Sequence, residues 1–122
     1  MRRSELLQWL GLFGGAAAWT IQHGTLFFLS SARCNPAGSR WAFGMTGWQI
    51  AVTVAAGMVA LAAEWAAVVT ALRTRELEHD GPPPLGRIHF FALAASAGNV
   101  LFLGAILLNG IGAGSWSTCG QA

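Results

Sequence analysis

The sequence predicts an all-α fold: an integral membrane bundle of three transmembrane helices, amino terminus cytoplasmic and carboxyl terminus periplasmic. Three observations carry that prediction. Apolar residues make up 54% of the 122 and charged residues only 10%, where a soluble domain has about 25% charged. Three apolar segments each exceed the roughly 20 residues that a bilayer core requires. The arginines are unequally shared between the two sides that these segments would separate. A soluble chain this small has too much surface to hide so much apolar area, so a soluble helical bundle with a greasy face is the weaker reading. The whole chain, 1–122, forms one domain.

The first span covers about residues 6–29, including "LGLFGGAAAWTIQH". A cleaved signal peptide is the lesser alternative, because the run is long and carries Gln22 and His23 late. Gly11, Gly15, Ala18, Gln22 and Thr25 recur at helical spacing and form a small-residue face.

The second span covers about 48–72. Glu64 sits slightly to the cytoplasmic side of its middle, with Gly57, Ala60, Ala67 and Ala71 on the same face. Small residues let another helix approach closely, so Glu64 is expected to face protein. An ionisable group inside a membrane needs a reason. The structural reading is a neutral carboxyl hydrogen-bonded to a neighbouring helix. The functional reading is a proton-relay carboxylate or a counter-ion in a proton or small-solute transport component.

The connector "RTRELEHDGPPPLGR" holds most of the charge and ends the second helix ahead of its prolines. The third span covers about 88–113, with Asn99 near its midplane beside Ala92, Ala95 and Ser96. Gln22 and Asn99 are expected to reach each other as an interhelical amide pair worth about 1 kcal/mol. His89 and Arg87 are expected to anchor this helix at the inner interface.

Arg2, Arg3, Arg73, Arg75 and Arg87 flank one side, Arg33 and Arg40 the other. The positive-inside rule makes the first side cytoplasmic, and the expected location is a bacterial inner membrane. Trp41, Trp48 and Trp116 then fall near the outer boundary and Trp9 near the inner one, where indoles anchor among lipid headgroups. Cys34 and Cys119 both fall on the outer side at similar height. In a periplasm such a pair is expected to oxidise; two free thiols are the alternative. Neither C-x-x-C-H nor C-x-x-C is present, so the pair reads as structural rather than heme-attaching or redox-active.

His23 could ligate a heme iron or a chlorophyll magnesium, but His79 and His89 do not match its depth as a second ligand. A hydrogen-bonded structural histidine fits better, and no cofactor or metal is expected. Gly-x-Ser-x-Gly, His-Glu-x-x-His and a phosphate-binding glycine loop are all missing. So is an internal repeat of the transporter kind. There is no dense basic cluster to hold nucleic acid.

"LGLFGGAAAWTIQH", Cys34, "WQIAVTVAAGMVALAAEWAAVV", "RIHFFALAASAGNVLFLGAILL" and the late Cys119 together resemble a family of small three-helix bacterial membrane proteins encoded beside cytochrome c oxidase genes. The resemblance spans nearly the whole chain. It implies a non-catalytic accessory subunit or assembly factor of a respiratory complex, with oxidase subunits and lipid as partners. It carries over no catalytic residue.

Overall fold

A computed structural model describes residues 3–34, 44–76, 83–115 and Cys119. The described residues fold as three long helices: α1 (Arg3–Cys34), α2 (Met45–Thr74) and α3 (Leu85–Ser115). Each contains one of the predicted apolar segments and overruns it at both ends. With 30 to 32 residues apiece, they are about 45–48 Å long at the usual helical rise.

Proline marks one of the boundaries. α3 begins directly after the proline run, and the Arg87 amide donates to the Pro84 carbonyl at 3.2 Å to start its first turn. Proline at a helix start costs nothing, since that amide has no intrahelical acceptor.

Side-chain contacts fix the directions. Going from the amino to the carboxyl end of α1, Gly11, Gly14 and Gln22 meet Ala67, Ala63 and Thr53, which descend along α2. These two helices are antiparallel. Glu64 meets Ser96, Thr53 meets Gly110 and Gln49 meets Ala113, so α2 and α3 are antiparallel too. Gly15 meets Asn99 and Gln22 meets Ile106, both 84 positions apart, and Cys34 meets Cys119 at 85. α1 and α3 therefore run parallel in one constant register.

The core is built from the smallest side chains. Ala60, Ala63 and Ala66 are completely buried, as is Ile106, while Ala18, Ala56, Ala67, Ala92 and Ala95 are nearly so. On α2 the inward residues follow Gln49, Thr53, Ala56, Ala60, Ala63, Ala67, Thr70, Thr74. These alternating steps of four and three are the repeat of left-handed helix packing. Ala at its centre brings the backbones close, which maximises van der Waals contact. Large apolar side chains point the other way: Phe27 is 71% exposed, Leu101 75% and Leu108 71%. Soluble proteins put large apolar residues inside. α2 (Met45–Thr74) and Gly86–Ser115 of α3 are long and apolar enough to cross a membrane. α1 is equally long but carries Thr20, Gln22, His23 and Thr25 within six positions.

Candidate functional site

Polar side chains form a ladder down the bundle, one rung every turn or two. At the level of the α1 amino terminus, the Thr74 hydroxyl and His89 Nδ1 lie 3.1 Å apart. Next, the Ser96 hydroxyl donates to Glu64 Oε1 at 2.6 Å, while the buried Oε2 has no partner. Ser96 is the only hydrogen-bond partner of Glu64 among the described residues.

Above it, Asn99 Nδ2 donates to the Gly11 carbonyl at 2.8 Å, and its side-chain oxygen lies where a Cβ on Gly15 would sit. Asn99 is 2% exposed and Gln22 1%. Gln22 Nε2 donates to both Thr53 Oγ1 and the Ile106 carbonyl, each at 3.1 Å. Gln49 Nε2 donates to the Ala113 carbonyl at 3.0 Å. The disulfide between Cys34 and Cys119 closes the far end, its Cα atoms 5.5 Å apart.

The amide pair expected between Gln22 and Asn99 does not form. Both amides are buried on facing helices, but α1 and α3 run in a register that sets Asn99 against Gly11 and Gly15. Gln22 meets Ile106, about two turns further out. Each amide satisfies a backbone carbonyl of the opposite helix instead.

His23 departs from expectation in a different way. It is exposed on the outside of α1, makes no hydrogen bond among the described residues, and stacks on Trp19 with centroids 5.6 Å apart. Trp19 packs in turn on Phe102 of α3. Trp9 and Trp48 are exposed, 55% and 53%, and Trp9 stacks on Phe13. Trp41 and Trp116 lie outside the described residues, as do Arg2, Arg40 and His79.

Several working residues escaped the sequence reading. Gln49 and Thr53 have the four-three spacing of the α2 core, and that repeat would have placed both inside. The hydrogen bond between Thr74 and His89 was hidden because the charged connector separates them. A cleft of about 130 Å³ opens between the amino-terminal halves of α1 and α3, lined mainly by apolar groups including Leu7, Leu12, Ile88 and Phe91. Among the described residues, no three His, Cys, Asp or Glu side chains gather as a metal site would require.

The ladder is suited to holding helices in register. Each rung ties neighbouring helices together, and Gln22 reaches both of the others. No protein-family model matches the chain, and neither does any curated protein or solved structure.

Proposed function

We propose that all three helices cross a bacterial inner membrane, amino terminus inside, and that the chain is a non-catalytic small subunit or assembly factor of a respiratory complex. The observation that carries this reading is the inversion of side-chain size. Large apolar groups cover the outside of every helix, α1 included through Phe13, Ile21, Phe27 and Phe28. The polar groups of α2 and α3 that a bilayer would reject are turned mostly inward, and so is Gln22 of α1. In lipid, packing and interhelical hydrogen bonds hold helices together, and both are supplied by the alanine core and its polar rungs.

A subunit role is favoured over a catalytic one by what surrounds Glu64. The Ser96 hydroxyl ties Glu64 to the neighbouring helix, while its second oxygen has no partner among the described residues to pass a proton to. Docking onto a larger protein is favoured by glycines left open on the outer faces. A Cβ at Gly98 or Gly104 of α3 meets no atom within 4 Å. The choice of cytochrome c oxidase as host rests on the sequence resemblance.

The test is purification of the tagged chain from native membranes in mild detergent, with mass-spectrometric identification of what stays bound. Stoichiometric oxidase subunits are expected. A chain that elutes with no partner, at a monomer's mass, overturns the subunit reading.

A further inference from the structure

We propose that the groove between α1 and α3 centred on His23 is where a transmembrane helix of the host protein docks, presenting a hydroxyl or carboxamide side chain to the imidazole. This rests on the membrane-subunit reading above and specifies the face that serves it.

The imidazole is the starting point. His23 would lie about 9 Å inside the outer end of its span, six residues at the helical rise. Side chains lean toward the amino terminus of their own helix, which here is toward the membrane centre. The Trp19 stack confirms that lean, since Trp19 is one turn nearer the amino terminus. The ring is thereby held away from the outer headgroups. A neutral imidazole has one donor and one acceptor nitrogen, and neither is hydrogen-bonded among the described residues. Facing lipid, those groups would go unsatisfied, which hydrocarbon penalises heavily. A neighbouring polar side chain removes that cost.

The surroundings fit a helix. Leu12, Ala16, Trp19 and His23 follow one another at steps of four, three and four along α1. Phe91, Gly98 and Ala105 step by sevens along α3 on the side of Phe102, which touches Trp19. Gly98 has open space where its side chain would be. A backbone can therefore come close there. The apolar cleft, lined by Leu12 and Phe91, lies at the inner end of the same groove. Its volume of about 130 Å³ is comparable to engineered cavities that take up a benzene ring. The matching helix thus carries a bulky apolar side chain at one level and a polar one about 16 Å further out, eleven residues on.

The experiment uses the full chain expressed in its native membrane and measures host protein retained per tagged chain. His23→Leu and Gly98→Leu are each expected to reduce retention roughly tenfold, the scale of one interhelical hydrogen bond in a membrane. His23→Gln is expected to keep most of it, because a carboxamide still donates and accepts. Gly57→Leu, equally open but on α2, is the control and should bind as wild type. Circular dichroism in detergent checks that each variant is folded.

Normal retention by folded Gly98→Leu overturns the groove while leaving the subunit reading intact. A Soret band in the purified wild type that His23→Leu abolishes also overturns it, since the imidazole would then ligate heme. Loss of the host from wild type and variants alike overturns the subunit reading itself, and the groove with it.

Discussion

The carboxamide of Asn99 occupies the space that a Cβ on Gly15 would fill. The two residues lie on parallel helices, and the glycine is what lets the asparagine reach the Gly11 carbonyl.

Gly15→Ala should therefore displace Asn99 and break its bond to Gly11. A buried donor left unpaired costs roughly 1–3 kcal/mol. Asn99→Ala should cost a similar amount, but the double variant should cost less than the two added together. Unfolding in mixed micelles for the four proteins of the cycle measures this coupling. Strict additivity would mean that the two residues do not share the site.

The sequence revealed that Gln22 and Asn99 would both be buried, but not what they would bond. Helical spacing of Gly11, Gly15, Ala18 and Gln22 shows which face of α1 turns inward, because burial is a property of one helix. Pairing depends on how far one helix is shifted along another. Nothing in either segment alone fixes that shift. It is set jointly by the close fit of Gly14 on Ala63, Gly110 on Thr53 and Gly15 on Asn99. Exposure of His23 was hidden for a related reason. It lies only 100° around the helix from Gln22, so whether it is inside depends on how many neighbours surround α1. Three helices leave that flank open.

Cys34 and Cys119 should resist alkylation until the protein is reduced. Replacing either cysteine with alanine should destabilise the chain as much as replacing both, by about 4 kcal/mol or less. That figure is a ceiling, because a membrane already restricts the unfolded chain. Mass spectrometry after thiol labelling, with and without reductant, is the check. Ready labelling of both thiols in the unreduced native protein would contradict the bond.

Glu64→Gln and Glu64→Ala should separate. Gln can still accept from Ser96 and fills the same space, so assembly and host turnover should be preserved. Ala removes the acceptor and opens a void against α3, at a cost on the order of 1–3 kcal/mol. Host activity and proton uptake, normalised to incorporated chain, are the readouts. A fully assembled Glu64→Gln complex that takes up no protons would make Glu64 a relay group.

Topology is open to a direct test. Reporter fusions after Arg75 should behave as cytoplasmic and fusions after Ala122 as periplasmic. The reverse pattern would put both cysteines in the reducing compartment and remove the reason for their oxidation.

The parallel register of α1 and α3 also has a mechanical side. The two helices are welded at one tip by Cys34–Cys119 and stand apart around a cleft at the other, like the tines of a tuning fork. Between those ends the Gln22 bond to Ile106 and the Asn99 bond to Gly11 tie them again, so the lengths left to part lie beyond Gly11, toward Leu7 and Ile88. A host helix that wedges into the groove would spread or clamp the free tines while leaving the tip fixed. The disulfide and the two amide rungs together would then set how stiffly the free ends resist it.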